Sequence, residues 1–388
     1  MREVYFDYGA TTPLRPEVVE AMIPFLKEQF GNPLSLHRFG DAPRQAVEEA
    51  REKVAALIGA RSNEIYFTAS GSEANNMAVK GIAFMNRKRG NHIVISAIEH
   101  HSVMNAAQTM EKLGFEVTRV PVDGHGLVDP DDVAEALRDD TILVSIMHAN
   151  SEIGTIQPVA EIAPLVKDKS KAYFHTDAVA TAGTVPVDVK ELGVDLLSLA
   201  GNQFYGPKGA AALYIKRATR IMPLIDGGIQ EAGRRAGTEN VPAIVGLGVA
   251  AELAVEDMEK RRQHLIPLRD RLIERLTKEI DRVHLTGHAT QRLPGHVSVV
   301  VEFIEGEAML LLLNMQGVAA SSGSTCTSRA LKASHVLTAI GIEPGLANGS
   351  LLLTLGRENT MEDVDYFMEV FPAIVDRLRQ MSPLYKEA

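Results

Sequence analysis

The chain has 388 residues, of which 45% are hydrophobic and 23% are charged, and its formal net charge is −10 at pH 7. This composition is typical of a globular protein and excludes a disordered or low-complexity chain, and the length favours two domains. Basic residues are dispersed rather than clustered, so no nucleic-acid partner is expected.

Three features predict a protein of the reducing cytoplasm. The N-terminal residues include charged side chains and lack the apolar core of a signal peptide. The longest apolar run, near residues 309–313, is far too short to span a membrane, so no membrane partner is expected. Cys326 is the only cysteine, which excludes an internal disulfide and fits a cytoplasmic location.

Helical and strand-like segments alternate through the first two thirds of the chain. This alternation predicts an α/β fold with a mostly parallel sheet between helices. An early proline and a terminal glycine predict a helix over residues 41–59. Short apolar runs predict buried strands at residues 93–95, 142–146, 173–175, 196–199 and 211–215.

Beyond residue 241 the pattern changes to that of an α+β unit. A long helix is predicted over residues 241–280, and it connects the two parts of the chain. The elements predicted after it are a strand at 297–301, a helix at 307–315, a strand at 350–355 and a helix at 361–381. No Pro-rich or Ser-rich linker separates the two parts, so we expect them to pack closely.

Polar residues follow the predicted strands, and ligands bind at this edge of open α/β sheets. The turn at residues 68–73 precedes a helix whose free N–H groups can hold an anion. The other polar strand ends are residues 99–101, 150–152, 177 and 201–209. Each of them alone is equally consistent with a helix cap or an ordinary hydrogen bond. Together the five indicate a shared pocket.

Cys326 lies in a run of small polar residues, SSGSTCTS, at positions 321–328. Free cysteines are usually buried hydrophobic residues, but this run contains no apolar neighbours among which a thiol could be buried. The thiol is therefore a candidate nucleophile, persulfide carrier or metal ligand. It is the residue most expected to carry the chemistry of this chain.

Several segments match one family pattern in combination. They are YFDYGATTP (residues 5–13), FGNP (30–33), EH (99–100), MHAN (147–150), HTDA (175–178), YGPKG (205–209), RAGTEN (235–240) and the Cys326 run. With them the chain resembles the cysteine desulfurases of the NifS/IscS type, in the class-V aminotransferase family, over nearly its full length.

The resemblance implies fold type I of the enzymes that use pyridoxal phosphate (PLP). A large domain with a mostly parallel seven-stranded sheet then covers residues 15–260, and a small α+β domain combines residues 1–14 with 261–388. The resemblance also implies a homodimer with active sites at the subunit interface. Its implied partners are L-cysteine or another sulfur donor and an IscU/NifU-type scaffold protein of iron–sulfur cluster assembly.

The resemblance also implies roles for individual residues. His100 matches the histidine that stacks on the cofactor ring, and Asp177 matches the carboxylate that pairs with the pyridine nitrogen. Gly71 and Ser72 match the phosphate-binding turn. Thr238 matches the threonine that reaches the phosphate in the neighbouring subunit.

Other positions depart from the family pattern, and they fall on the chemistry. Gln203 stands where the family has the lysine that binds PLP as a Schiff base, and an amide can neither form that bond nor titrate near neutral pH. Ser151, Ala180 and Ala200 replace residues that contact the cofactor. Leu352 replaces the arginine that pairs with the substrate carboxylate.

Three functions follow from this mixture of matches and departures. In the first, the chain does not run normal PLP desulfuration, and Cys326 accepts sulfur or ligates a [2Fe–2S] cluster shared with a scaffold partner. In the second, the chain is an active desulfurase that holds PLP without a covalent bond, and His100 or a neighbouring group moves protons. In the third, a non-catalytic dimer positions partners.

Overall fold

The structure is a computed structural model that describes residues 2–323 and 333–386. Cys326 lies outside these residues. The strands in the described part of the chain are β1 (Val4–Tyr5), β2 (Ile65–Thr68), β3 (His92–Ser96), β4 (Glu116–Val120), β5 (Thr141–Ser145), β6 (Tyr173–Asp177), β7 (Leu196–Ala200), β8 (Ala211–Ile215), β9 (Val283–Leu285), β10 (His296–Val301), β11 (Val318–Ala319) and β12 (Ser350–Thr354).

Helices alternate with these strands in the first part of the chain, and further helices follow in the second part. They are α1 (Pro16–Lys27), α2 (Arg38–Leu57), α3 (Gly71–Asn86), α4 (His101–Lys112), α5 (Pro130–Ala136), α6 (Val159–Lys169), α7 (Val189–Leu192), α8 (Val241–Glu279), α9 (Gly306–Met315), α10 (His335–Ala339), α11 (Pro344–Ala347) and α12 (Met361–Met381). Within residues 2–323 and 333–386, none of them is long and apolar enough to cross a bilayer.

Seven strands form the central sheet, in the order β2-β8-β7-β6-β5-β3-β4. β3 to β7 are mutually parallel, and β8 pairs antiparallel with both of its neighbours. Every residue of β3, β5, β7 and β8 is buried, because helices cover both faces of the sheet. The predicted mostly parallel seven-stranded sheet is therefore confirmed. The carboxyl ends of its parallel strands meet at one edge.

Within the central sheet, the apolar runs predicted the interior strands but missed β2 and β4. β2 is a four-residue strand that pairs only with β8, and β4 is an edge strand that pairs only with β3. Glu116, Thr118 and Arg119 interrupt the apolar pattern of β4, because an edge strand is exposed along one side. α2 begins at Arg38, before the predicted start at residue 41, so Pro43 lies within the helix.

The long helix α8 connects two hydrophobic cores. Leu247 and its neighbours in the first half of α8 pack against one face of the central sheet. Leu268 and Leu272 in the second half pack instead with β10, β12 and α12. A three-stranded antiparallel sheet, β12-β10-β9, lies in this second core. The domain boundary at residue 260 stays a prediction.

Leu272 tests how strongly the second core depends on α8. Its side chain is fully buried, so Leu272→Ala should lower the free energy of unfolding by about 2–5 kcal/mol through lost burial and a residual cavity. The thermal unfolding midpoint measures this loss. Leu311→Ala on α9 is the matched control, because Leu311 is 67% exposed and its truncation should change stability by less than about 0.5 kcal/mol. Equal effects of the two substitutions would contradict the assignment of Leu272 to the core.

Candidate active site

Asp177 ends β6, and its carboxylate is buried at the carboxyl edge of the central sheet. The side-chain amide of Asn75 donates to Oδ2 at 2.6 Å, and the backbone N–H of Val179 donates to Oδ1 at 2.9 Å. Burial raises the pKa of Asp177, while the charge of His100 and the two hydrogen bonds oppose this shift. The carboxylate is therefore fixed in position by donors on two separate elements.

His100 is joined to Asp177 through a short chain of hydrogen bonds. The backbone N–H of Ser102 donates to Nδ1 of His100 at 3.1 Å, so this nitrogen is an acceptor. The Ser102 hydroxyl lies 2.7 Å from the same nitrogen and accepts from the Asn75 amide at 2.8 Å. Asn75 thus donates to both Asp177 and Ser102, and because Nδ1 of His100 accepts, Nε2 is the ring nitrogen that carries a proton.

The turn before α3 forms a helix N-terminus of the kind that suits an anion. The Ser70 hydroxyl caps the helix by accepting from the backbone N–H of Glu73 at 3.1 Å. Within the described chain, the N–H groups of Gly71 and Ser72 have no acceptor. A Cβ on Gly71 would lie 2.6 Å from Cγ2 of Val179, so a glycine is required for this turn to approach the end of β6. The predicted turn therefore lies beside Asp177.

Gln203 lies in the 3-10 turn after β7. Its side-chain amide donates to the carbonyl of Gly9 at 3.0 Å, which holds it against the N-terminal segment. Gln203 lines a cavity together with Ser151 and Ala180. No lysine lines this cavity in the part of the chain that the structure describes. Its described lining includes one arginine, Arg261, which already binds Asp257 at 2.7 Å.

A second cavity adjoins the first and shares Gly9 and Ser151 with it. His100 and Leu352 both line this second cavity. Its ionisable side chains among residues 2–323 and 333–386 are three carboxyls and three imidazoles, with no lysine or arginine: Asp7, Glu99, Glu152, His100, His101 and His335. We call it the carboxyl–imidazole cavity.

Two glutamates of this cavity are deeply buried. Burial raises the pKa of Glu99 to about 8, although its carboxylate accepts hydrogen bonds from the Ser96 hydroxyl and from the Met147 N–H, at 2.6 Å and 2.8 Å. Burial raises the pKa of Glu152 to about 7 against an opposing hydrogen bond from Ser334. Both carboxyls are therefore protonated in a substantial fraction of molecules near neutral pH.

Thr238 lies apart from Asp177 and His100 in the single chain. It is exposed and lines a separate groove with Thr68 and Ala69, close to the α3 turn. Arg235 binds Glu73 in the first turn of α3 at 2.8 Å, which ties the Thr238 segment to that turn. A contact between Thr238 and the site of a second subunit stays a prediction.

The site residues fit PLP at its ring and phosphate ends. Asp177 offers a buried carboxylate for a pyridine nitrogen, His100 lies beside it, and the free N–H groups of Gly71 and Ser72 suit a phosphate. Gln203 offers no amine for a covalent bond at the aldehyde end. The described residues therefore provide groups for the ring and the phosphate of PLP.

Sequence reasoning missed the residues that orient this site. Both residues lie close in sequence to positions that match the family pattern. Asn75 lies one helical turn after Gly71, and Ser102 lies two residues after His100. Their spacing in the chain, however, gives no sign that one amide bridges Asp177 and Ser102.

Among the described residues, no group of three or more His, Asp or Glu side chains is arranged to hold a metal ion. The metal role of Cys326 stays a prediction.

Comparisons with known proteins show the family of this chain. The sequence model described as Aminotransferase class-V matches residues 4–367. The chain is 56% identical to a cysteine desulfurase IscS of Methanosarcina thermophila, over 99% of this chain and 94% of that protein. Its structure is similar to that of a NifS-like protein, with a TM-score of 0.90, 38% identity and coverage of 97% and 99% of the two chains. It is also similar to SspA in complex with cysteine, with a TM-score of 0.80, 34% identity and coverage of 91% and 98%.

Glu99 makes the stability of the protein depend on pH. Its pKa is about 8 in the folded protein, above the ordinary value of 4.5, so between these values the folded chain holds a proton that the unfolded chain releases. The free energy of unfolding should therefore fall as pH rises from about 5 to 8. Glu99→Gln should remove this part of the slope, as measured by thermal midpoints across that range.

The matched control for this measurement is Glu307→Gln, because Glu307 is exposed on α9. The control protein should keep the pH dependence of the unmodified protein. An unchanged slope in Glu99→Gln would show that the buried carboxyl does not hold the extra proton.

Proposed function

We propose that this chain, which belongs to the cysteine desulfurases of the class-V aminotransferase family, binds PLP without a covalent bond and removes sulfur from L-cysteine. The observation that carries the proposal is the buried carboxylate of Asp177, held by Asn75 and Val179 and linked to His100. An isolated buried carboxylate is costly, so a site that maintains one with dedicated donors suits a cationic or protonated ligand group.

Each matched residue has a definite task in this proposal. Asp177 would accept a hydrogen bond from a protonated pyridine nitrogen, and the N–H groups of Gly71 and Ser72 would hold the phosphate. His100 contacts the ring and presents an N–H at Nε2, because its Nδ1 accepts from Ser102. When bound, PLP supplies an electron sink for bonds at the α-carbon of an amino acid.

Gln203 determines how the cofactor is retained. Its amide is neutral and unreactive toward an aldehyde, and it already donates to the Gly9 carbonyl. The cofactor is then held only by contacts at its ring and phosphate, so it exchanges with solution. Leu352 leaves the substrate carboxylate without an arginine partner. Loss of such a pair weakens the binding free energy of the substrate by about 2–5 kcal/mol in a desolvated site. We therefore propose slow turnover that requires added PLP.

The proposed reaction transfers one sulfur atom from substrate to protein. The carbon–sulfur bond of L-cysteine breaks, the sulfur joins the Cys326 sulfur as a persulfide, and the carbon skeleton leaves as alanine. Atoms and electrons balance, because the thiol proton of Cys326 and the carbon–sulfur electron pair are both retained in the products. We propose that the persulfide passes to an IscU/NifU-type scaffold in the cytoplasm. Cys326 is the only cysteine of the chain, so it has no partner for an internal disulfide.

The attachment of PLP is the decisive test. An absorption band should appear when PLP is added to the purified protein, and gel filtration should remove it. Borohydride reduction should leave the mass of the protein unchanged, whereas Gln203→Lys should retain PLP mass after reduction. Lys208→Gln in the Gln203→Lys background is the matched control, and it should leave the trapped mass unchanged.

Sulfide release completes the same test. With PLP and a thiol present, the protein should release sulfide from L-cysteine, and Asp177→Asn should slow this release at least about tenfold. Gln203→Lys alone should not give efficient desulfuration, because Leu352 still leaves the substrate carboxylate unpaired. A PLP adduct on a lysine of the unmodified protein would contradict the proposal, as would the absence of both the band and sulfide release.

A second candidate function is favoured by the charges of the carboxyl–imidazole cavity. Its described lining offers Leu352 and no lysine or arginine to a substrate carboxylate. In this function Cys326 accepts sulfur from another donor or ligates a cluster held by a scaffold protein. The same assay separates the two functions. Without PLP, a persulfide donor should add one sulfur to Cys326, and no sulfide should be released from L-cysteine at any PLP concentration.

We also propose that the functional form is a homodimer. Large apolar side chains are exposed near the start of α2 and in the segment before Thr238: Leu36 is 96% exposed, while Phe30 and Ile229 are each 76% exposed. Ile229 and Glu239 line one groove. A second copy that covers this groove would therefore approach Thr238, and the buried apolar area would stabilise the pair.

Sedimentation velocity tests the dimer. The unmodified chain should sediment as a dimer, and the double variant Leu36→Asp, Ile229→Asp should shift it toward monomer, because two charges would be desolvated in the interface. Leu311→Asp is the matched control, since Leu311 is exposed on α9 outside this groove. A double variant that sediments like the control would place the interface elsewhere.

A further inference from the structure

Two histidines from different elements meet at the carboxyl–imidazole cavity. His101 is the first residue of α4, and His335 is the first residue of α10. Their ring centroids lie 4.9 Å apart with an angle of 49° between the ring planes. Both rings are half-buried, and both line the cavity. The pair therefore combines contact with the cavity and partial shielding from bulk water.

The hydrogen bonds leave ring nitrogens of this pair available. Nε2 of His335 lies 3.0 Å from the backbone carbonyl of Glu99. Because a carbonyl only accepts, Nε2 carries the proton, and Nδ1 of the neutral ring holds a free lone pair. Within the described residues, no hydrogen bond engages the His101 ring. Burial lowers the pKa of both histidines, and their mutual repulsion lowers that of His101 further, so both rings are neutral near pH 7.

The separation of the rings matches that of two ligands on one metal ion. Imidazoles bound at metal–nitrogen distances of about 2.0–2.1 Å, at adjacent positions of a tetrahedral or octahedral ion, place their centroids about 4.5–5.2 Å apart. Nε2 of His335 donates a hydrogen bond to the backbone carbonyl of Glu99. A hydrogen bond of this kind at the second ring nitrogen commonly orients a histidine that binds a metal ion. Neutral imidazole is a preferred ligand for divalent transition metals.

We propose that His101 and His335 together bind a divalent transition-metal ion at the mouth of the carboxyl–imidazole cavity. Two protein ligands leave the remaining positions of the ion to water or to a ligand from solution. The site therefore suits an exchangeable metal rather than a closed structural one.

The charges of the cavity favour a cation over an anion. Its described lining contains Asp7, Glu99 and Glu152 and no lysine or arginine, so an entering cation meets no fixed positive charge there. An entering metal also favours the ionised form of the nearby carboxyls. The proposal does not depend on PLP or on sulfur transfer, because neither the pair nor its hydrogen bonds involve Asp177 or Gln203.

Cobalt titration of the full chain tests the site. The experiment uses Cys326→Ser protein without PLP, so that no thiolate can bind the metal, and adds CoCl₂ alone while visible d–d absorption is recorded. One equivalent of Co²⁺ per chain should give a saturable band of a nitrogen-ligated ion. His101→Ala and His335→Gln should each weaken Co²⁺ binding at least about tenfold.

A second histidine pair provides the matched control. His125 and His288 lie with their ring centroids 5.7 Å apart on another part of the surface. This separation lies outside the range of about 4.5–5.2 Å given above for two imidazoles on one ion, so this pair does not suit a shared metal. His125→Ala should therefore leave the Co²⁺ titration unchanged.

The outcomes separate the proposal from its alternatives. The proposal would be overturned if His101→Ala and His335→Gln bound Co²⁺ as tightly as the protein with both histidines. Loss of the d–d absorption band in His125→Ala would also overturn it. Thermal midpoints of all variants, measured without metal, identify any protein that is unfolded. Paramagnetically shifted imidazole N–H or C–H resonances that vanish in His335→Gln provide a second readout, which a purely structural role of His335 would not produce.

Discussion

The buried carboxylate of Asp177 is the constraint around which the rest of the site is arranged. A carboxylate in this position must be paired or hydrogen-bonded, because desolvation of an isolated charge is costly. Asn75 provides that stabilisation from α3, and the same amide fixes Ser102 and through it His100. The parallel sheet makes this possible by bringing the ends of β3 and β6 and the start of α3 to one edge.

The two adjoining cavities differ in the charges that they present to a ligand. The cavity beside Gln203 has an arginine already bound to Asp257, and the carboxyl–imidazole cavity has no lysine or arginine in its described lining. The ionisable side chains in the described lining of the second cavity are carboxyls and imidazoles. The site therefore presents groups that suit a ring and a phosphate, and its described lining contains no lysine.

Burial also explains why several groups of this edge respond to pH. Glu99 and Glu152 lie where water is excluded, so their protonated forms are favoured, and the same effect keeps His101 and His335 neutral. Neutral His101 and His335 and partly protonated Glu99 and Glu152 reduce the mutual repulsion among the side chains that line this cavity. They also leave lone pairs that a metal ion can use.

The sequence by itself determined the fold class, the interior strands of the central sheet and the long helix α8, and it predicted roles for Asp177, His100 and Gln203. These features depend on apolar periodicity and on local motifs, which are properties of contiguous residues. The edge strand β4 escaped prediction because its exposed side carries polar residues. Only the tertiary structure decided that Asn75 bridges Asp177 to Ser102 and that His101 meets His335. Those contacts join residues 102 and 234 positions apart in the chain, and no local pattern records which distant side chains share an edge of the sheet.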